Sequence, residues 1–503
     1  MKTAAPRTVS SPSRRLHLAG GGLLAILLVL PLFVFLTEEP IQLWDESRNA
    51  MNAWEMARNG NLLEVRFEGE PDLWNTKPPL LLWLQAAAYH LVGPSTLAVR
   101  LPSVLAAMLT LGALILGLRH LLGRWEPGVL AAVVLVSSAG YVKYSHAART
   151  ADFDALLTLF TTGVFLSFCA VLGAPSERSR RWAMLALFGS LTLAVMTKGV
   201  AGLLFLPAIQ ILLTVYRQWG TILRMRATYR GALGGVVVVA ALYGAREWAT
   251  PGYLAAVWQN EIGGRATEVI GDHSGPWYYY LLNLYDRRLF FWIFVLPVGA
   301  VGAFFAADPR LRRVLQCALV FVVVHLAVIS SVATKLEWYD LAIYPLCAIV
   351  TAAGIGFLAD LFIQPESAWI RRSFRSPAGA RVAFFALIAV QPYLSVLDGI
   401  KPREDPAYDA SEYLARLEEG SLDRPLKLAR EDYHPERWIY VHFARARGLP
   451  VELVDPSSLV PGDTVLIVDA GQRERLAARF TLSTVERHKS AEVAVLGARP
   501  AAP

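Results

Sequence analysis

The chain has 503 residues, 55% of them hydrophobic and 18% charged, with a formal charge of +7 and a mean hydropathy of +0.41. Soluble domains carry about 25% charged residues, so the composition excludes an ordinary soluble protein and points to a membrane protein. The basic residues fall in short clusters between apolar spans, a pattern of membrane topology and not of nucleic-acid binding. The three cysteines, Cys169, Cys317 and Cys347, lie in apolar segments and imply neither a disulfide framework nor a zinc site.

A membrane helix needs about 20 predominantly apolar residues. Windows of that kind fall near 17–37, 98–119, 127–145, 151–173, 182–197, 200–216, 231–249, 289–306, 314–332, 340–363 and 381–397. The first follows a basic segment and lacks an Ala-x-Ala cleavage site, so it reads as a retained span with its N-terminus inside. Threading the chain from there puts Arg119 and Arg124, then Arg178, Arg180 and Arg181, then Arg217, Arg224, Arg226 and Arg230 on the inside. Arg310, Arg312 and Arg313, then Arg371, Arg372, Arg375 and Arg381, follow on the same side, as the positive-inside bias requires. The fold expected is an α-helical polytopic membrane protein of about eleven transmembrane helices.

Two long segments fall outside. Residues 38–97 contain an amphipathic helix over Asp45–Arg58, with Ala50, Ala53, Trp54 and Ala57 on one face and Gly60 as its stop. A second short helix is expected from Leu80 to Leu91, after Pro78-Pro79. Both read as juxtamembrane helices lying along the surface. Residues 250–288 form the other outside loop. After the last span, 398–503 become more charged, with a β-rich run at Asp463–Ala470 between helical stretches Pro435–Gly448 and Gln472–Phe480. This reads as a small outside α/β domain following a transmembrane domain of residues 1–397.

Polar groups gather at the outside ends of the spans. They are Asp45 and Glu46, Lys77, Arg149 with Asp152 and Asp154, and Lys198. Glu261, Arg265, Asp272 and His273 stand ahead of Trp277-Tyr278-Tyr279-Tyr280, and Lys335, Glu337 and Tyr339 follow later. Each has a bland reading. Asp45 is suited to cap its helix, Asp152 and Asp154 to cap theirs, Glu261 and Arg265 to form an i,i+4 pair, and the lysines to snorkel. Asp152 and Asp154 are two residues apart, about 200° around a helix, so on a helix they would not face one site. Jointly, several cations with two carboxylates at one rim suit a phosphorylated ligand beside a hydroxyl to be deprotonated. A secondary transporter and a membrane scaffold are the alternatives; the chain shows no internal repeat of the kind transporters use.

Asp45-Glu46, Lys77-Pro78-Pro79, Ala98-Val99-Arg100-Leu101-Pro102, Arg149 through Asp154-Ala-Leu-Leu-Thr, Lys198-Gly199, the Glu261–Tyr280 run and Lys335-Leu-Glu-Trp-Tyr with Tyr344-Pro345 resemble the bacterial GT-C glycosyltransferases. The nearest groups are the lipid A aminoarabinose transferases and the protein O-mannosyltransferase-like enzymes. The resemblance covers roughly residues 40–350. It implies an inverting transfer of sugar from a polyprenyl phosphate, the donor substrate, to a lipid, glycan or protein acceptor on the outer face of a bacterial inner membrane. It makes Asp45, Glu46 and Asp154 the candidate catalytic residues, and Lys77, Lys198, Arg265 and Lys335 the candidate ligands of the donor phosphate. Arg149, Glu261, His273, Trp277 and Tyr339 are the expected substrate-lining residues. Some relatives bind a divalent metal through carboxylates; no His/carboxylate spacing here is diagnostic, and the metal is left open.

Overall fold

The computed structural model describes residues 12–264, 268–269, 272–364, 374, 376–418 and 420–499. It begins with α1 (Pro12–Phe33), α2 (Asp45–Asn59), α3 (Leu80–Val92), α4 (Thr96–Leu122), α5 (Glu126–Val136), α6 (Phe153–Gly173) and α7 (Glu177–Lys198). There follow α8 (Leu206–Val215), α9 (Arg226–Ala249), α10 (Leu296–Phe305), α11 (Pro309–Ser331), α12 (Tyr344–Phe362) and α13 (Pro377–Gly399). Among the described residues seven helical stretches are long and apolar enough to cross a membrane: Thr96–Leu122, Phe153–Gly173, Glu177–Leu203, Arg226–Ala249, Pro309–Ser331, Glu337–Phe362 and Pro377–Gly399. Gly20–Phe33, Leu80–Val92, Glu126–Val136, Leu206–Val215 and Leu296–Phe305 are apolar but shorter.

Local chemistry explains where the helices depart from the expected windows. The window 127–145 breaks after Val136, where the hydroxyls of Ser137 and Ser138 donate back to the carbonyls of Val133 and Val134 at 2.5 and 2.6 Å. The window 289–306 becomes helical only at Leu296, where Pro297 falls in the first turn. Near the head of the chain α2 carries Asp45 and Glu46 in its first turn and stops at Gly60, whose φ of 71° suits a residue without Cβ.

Inside the helical body α10 and α12 touch through backbone. A Cβ on Gly299 would lie 1.8 Å from the Val350 carbonyl oxygen, and one on Gly354 2.7 Å from that of Val295. Such close approach trades side-chain burial for helix-to-helix contact, as membrane helices commonly do.

The last hundred residues form a mixed sheet in the order β4-β3-β5-β7-β6, built from β3 (Leu426–Ala429), β4 (Val451–Val454), β5 (Thr464–Ile467), β6 (Phe480–His488) and β7 (Ala491–Ala498). A two-residue hairpin at Arg66–Phe67 (β1) and Glu70–Pro71 (β2) lies in the first loop. Strands β3, β4 and β5 run parallel, and β7 is antiparallel to both β5 and β6. One sheet face, with Leu426, Leu428, Leu466 and Val493, packs on α14 (Asp409–Arg416) and α15 (Pro435–Ala446). The other, with Ala429, Val465 and Ile467, packs on Leu476 of α16 (Ala470–Arg479). The first of these clusters continues without a break into Ala50, Met51 and Trp54 of α2 and Tyr89 of α3.

Replacing Gly299 by alanine is expected to lower thermal stability in detergent by about 1–3 kcal/mol, the usual cost of overpacking, without altering the residues around Asp45. Thermal unfolding of the purified variant followed by intrinsic fluorescence measures it.

Candidate functional site

The site grows from one buried ion pair. Glu46, 2% exposed, accepts from Arg100 Nε at 2.7 Å and Nη2 at 2.9 Å, from the Gln42 amide at 2.8 Å and from the Ala151 amide at 3.0 Å. Arg100 gives its remaining protons to the carbonyls of Leu36, Glu39 and Pro40 at 2.7, 2.8 and 2.9 Å, so that all five guanidinium donors are used. The pair therefore ties the loop before α2, the first turns of α4 and the turn before α6 to one point. Asp45 precedes one anchor in sequence and Asp152 follows another.

Those two carboxylates meet at a residue that sequence reasoning missed. His146 is buried; its Nε2 lies 3.4 Å from Asp45 Oδ2, and its Nδ1 lies 3.1 Å from Asp154 Oδ2 and 3.7 Å from Asp152 Oδ1. Its ring stacks on Trp338 with centroids 3.6 Å apart and planes 6° apart. Burial works against the imidazolium, but Asp152, Asp154 and Asp45 outweigh it and hold the His146 pKa above its ordinary value. His146 sits at a φ of 62°. A left-handed conformation at such a residue costs about 1–3 kcal/mol and persists only where the surroundings enforce it. Trp44, next to Asp45, has a φ of 77°. No helical period or motif flags a histidine in a turn, so nothing in the sequence distinguished it.

Asp152 and Asp154 share this imidazole, contrary to the expectation that they would point apart. The helical angle does not apply, because Asp152 is the N-cap of α6 with extended backbone (φ −105°, ψ 163°), and only Asp154 lies inside the helix. Nor does Asp45 cap α2: the cap position is Trp44, and no side chain caps that end.

Lys198 ends α7 and donates to Asp154 Oδ1 at 2.5 Å, both side chains being buried. The Lys198 ammonium also lies 5.9 Å from the Tyr339 ring centroid. The Lys77 ammonium lies 5.9 Å from the Phe153 ring and 3.4 Å from Glu261 Oε1, which also accepts from Thr76 at 2.9 Å. The Lys77 backbone is held from two sides. Arg246 donates to its carbonyl at 2.7 Å and Tyr253 to that of Thr76 at 2.9 Å. Buried Asn75 bridges Asn49 and Asn52 of α2 at 3.1 and 2.9 Å.

Other expected site residues lie elsewhere. Arg149 turns its fork to the Pro31 carbonyl at 2.9 Å, and burial and the neighbouring Arg100 lower its pKa to about 10. The Lys335 ammonium closes the end of α11 on the carbonyls of Ser330 and Val332 at 3.0 and 2.7 Å. His273 is exposed and offers its carbonyl to the Lys335 amide at 2.9 Å. Trp277 is 72% exposed, edge-on to Tyr278. Arg265 falls outside the described residues.

Asp45, His146 and Asp152 offer three ligand atoms within 4.8 Å of one another. Asp152 Oδ1 is buried without a hydrogen-bond partner, which suits a cation as the missing neighbour. Two carboxylates and an imidazole fit a divalent ion.

The loop carrying Asp45 is gripped by the C-terminal sheet unit. The Ile41 amide donates to Tyr440 Oη at 3.0 Å, the Leu43 amide to Tyr408 Oη at 3.3 Å, and Trp44 lies against Tyr433 with centroids 5.5 Å apart.

The family model for dolichyl-phosphate-mannose-protein mannosyltransferases matches residues 76–243. An undecaprenyl phosphate-alpha-4-amino-4-deoxy-L-arabinose arabinosyl transferase of Edwardsiella ictaluri is 27% identical over 288 residues, 56% of this chain and 50% of that protein. The chain thus spans about half the length of that curated relative. The structure of ArnT from Cupriavidus metallidurans bound to undecaprenyl phosphate superposes with a TM-score of 0.71 at 17% identity, covering 95% of this chain and 98% of the other. The Archaeoglobus fulgidus oligosaccharyltransferase tethered to an acceptor peptide superposes with a TM-score of 0.51 at 12% identity over 97% of this chain and 74% of the other.

Glu46→Ala is expected to cost about 3–5 kcal/mol, because it strands a buried guanidinium; loss of the monodisperse peak on size-exclusion chromatography reports it. Tyr440→Phe leaves the Ile41 amide buried without its acceptor and should cost about 1–3 kcal/mol, read as a lowered unfolding temperature. The chain thus has the fold of the ArnT structure, and its sequence is similar to an aminoarabinose transferase and, over residues 76–243, to the protein mannosyltransferases.

Proposed function

We propose that the protein is a glycosyltransferase that moves a sugar from a polyprenyl-phosphate donor to an envelope acceptor on the outer face of a bacterial inner membrane. The observation that carries this reading is the cluster itself. Asp45, with its side chain 49% exposed, stands on one side of His146, and the buried Asp154–Lys198 pair stands on the other. Glu46 is consumed by Arg100, so its part is to hold Asp45 in place, and Asp45 is the carboxylate accessible to an acceptor.

In the reaction Asp45 takes the proton of an acceptor hydroxyl, whose oxygen forms a bond to the anomeric carbon. The bond from that carbon to the phosphate oxygen breaks, and its electron pair leaves on the polyprenyl phosphate. A single displacement of this kind inverts the anomeric centre. A phosphate leaving group needs its charge stabilised more than it needs a proton, and Lys77 supplies a point charge for it. Lys198 neutralises Asp154, and the two together fix the imidazole. Lys335 and Arg149, committed to backbone carbonyls, fit a structural part better than a phosphate-binding one. A divalent cation held by Asp45, His146 and Asp152 would supply positive charge beside the same phosphate.

The relatives support the donor class: the curated relative is named for an undecaprenyl-phosphate-linked sugar, and the Cupriavidus structure holds undecaprenyl phosphate. The arginine-rich loops support an inside N-terminus, and on that reading Asp45, Lys77 and residues 398–503 face outside. The acceptor is of the lipid A, glycolipid, glycan or protein class, and the sugar a pentose or hexose. We read residues 1–397 as the transferase domain and 398–503 as an outer domain docked on its first loop.

Asp45→Asn is expected to lower turnover by about 10²–10⁴-fold, the usual contribution of a general base, with the protein still folded and inserted. Lys77→Ala should weaken donor use in the same assay. Mass spectrometry of polyprenyl-phosphate lipids and envelope glycans from cells carrying each variant reads both effects. A donor should accumulate while one glycan loses the same sugar. Unchanged lipids and glycans in both variants would refute the assignment.

A further inference from the structure

Two cavities that the transfer chemistry does not use join into one groove along the helical body. The first, of about 580 Å³, is walled by Leu24 and Leu28 of α1, Val129 and Val133 of α5, and Phe385 and Ala389 of α13. The second, of about 240 Å³, continues past the apolar parts of the same helices, to Ser137 and Ser138 after α5 and Ser395 of α13. Trp292 lines both and marks the junction. Along α13 the groove runs from Val382 to Val396, about 21 Å at a rise of 1.5 Å per residue. One leaflet of hydrocarbon is about 15 Å deep, so the groove is long enough to reach from the membrane interior to its rim. Only 17% of the apolar window of α13 is buried, and Tyr393 braces the helix to α1 by donating to the Leu27 carbonyl at 2.8 Å.

The two ends differ in chemistry. Among the described residues no charged side chain lines the first cavity, whereas the second brings together Lys143, Tyr144, Asp286 and Arg288. Arg288 is already spent, its Nη2 lying 3.2 Å from Glu337 Oε2 and its Nη1 3.8 Å from Asp340 Oδ1. Lys143 and Asp286 are not. Neither makes an ion pair among the described residues, with the other or with a third group. The Lys143 ammonium has only the ring of Tyr144, 5.6 Å away, and the through-space influence of Arg403 and Asp398. Asp398 itself is held by Lys401 at 2.8 Å. Asp286 is exposed. One available cation and one available carboxylate, at the mouth of an apolar channel, suit an amphiphile whose polar end carries both signs.

We propose that this groove is a lipid site, separate from the Asp45–Lys77 cluster, for a phospholipid with an aminoethyl phosphate headgroup. The acyl chain lies between α1, α5 and α13. The phosphate meets Lys143, a compact point charge, and the terminal ammonium donates to Asp286 in a charge-assisted hydrogen bond. A headgroup with a phosphate and no amine would leave Asp286 facing like charge. A trimethylated ammonium has no proton to give it.

The test is native mass spectrometry of the full-length protein, delipidated in detergent and titrated with lipids of identical dioleoyl chains. Phosphatidylethanolamine, phosphatidylglycerol and phosphatidylcholine are added separately, and water-soluble glycerophosphoethanolamine serves as the headgroup alone. Saturable binding of phosphatidylethanolamine is expected, at least about tenfold tighter than the other two lipids, which is about 1.4 kcal/mol. The soluble headgroup should bind far more weakly. Asp286→Asn should remove the preference among the lipids, Lys143→Gln should weaken all three, and Ala386→Trp, which fills the apolar cavity, should weaken phosphatidylethanolamine at least about tenfold. Asp286 and Ala386 are exposed, so folding should survive, and the unfolding temperature without lipid checks it. Lys77→Ala should leave the binding unchanged, and undecaprenyl phosphate should not displace the lipid. The proposal is overturned if the three lipids bind alike, if the soluble headgroup binds as tightly as the lipid, or if Asp286→Asn keeps the preference. Loss of the bound lipid to Lys77→Ala or to undecaprenyl phosphate would overturn it as well, by assigning the groove to the transfer site.

Discussion

The buried pair of Glu46 and Arg100 is the constraint on which the rest of the site depends. Two charges removed from water are stabilised only when geometry is good and every remaining donor and lone pair is engaged. Here the carboxylate takes four donors and the guanidinium gives five. The strands of chain so joined, residues 36–46, the head of α4 and the turn at Ala151, are far apart in sequence and would not otherwise meet. Asp45 and Asp152 are placed by being the covalent neighbours of the anchored residues. Carboxylates that stand next to such a node need little further ordering when a ligand arrives, which is where preorganised sites gain their advantage.

Around the node the protein spends stability on polar groups at the rim of the apolar body. His146 and Trp44 are held in left-handed backbone, and Asp154 and Lys198 are buried against each other at the ends of two apolar helices. Charges at helix ends cost less than the roughly 2.5–3.5 kcal/mol that insertion scales give at a helix centre, but removing Asp154 would leave the buried Lys198 ammonium without its carboxylate. The offset comes from packing on both sides. The helical body below is close-packed to the point of backbone contact at Gly299, and the C-terminal sheet unit above shares an apolar cluster with α2 and α3. The grip of Tyr440 and Tyr408 on the loop at residues 41–43 makes that upper unit part of what positions Asp45.

The asparagines of α2 show how the second element of the site is carried. Asn49 and Asn52 face Asn75, and Asn52 with Arg48 holds Asp72, with Arg48 Nη2 at 2.7 Å and Asn52 Nδ2 at 3.0 Å. This buried network fixes the loop that ends in Lys77, while Arg246 and Tyr253 fix it from α9 and the segment after it. Fully satisfied polar networks of this kind give rigidity along with a specific geometry. The two halves of the site, one around His146 and one around Lys77, are thus supported by the same short helix, and Asn49 touches both, bonding Asn75 and the Ala151 carbonyl.

The sequence by itself determined the apolar windows, the two juxtamembrane helices, the arginine-rich loops and the gathering of Asp45, Lys77, Asp154 and Lys198 at one rim. These are set by local periodicity and by the cost of charge in lipid, both of which a linear reading can see. The alternation of apolar runs with helical stretches beyond residue 420 likewise marked β5, α15 and α16. Only the tertiary structure decided that Glu46 serves Arg100, that Arg149 and Lys335 turn to backbone carbonyls, and that Asp152 and Asp154 share one histidine. Those outcomes depend on which donors and acceptors the fold brings together, some of them, as with Glu46, Arg100 and Ala151, far apart in the chain, and on a cap position that escapes the helical angle. His146 became visible for the same reason: its meaning lies in three carboxylates and a tryptophan that the sequence scatters and the fold collects.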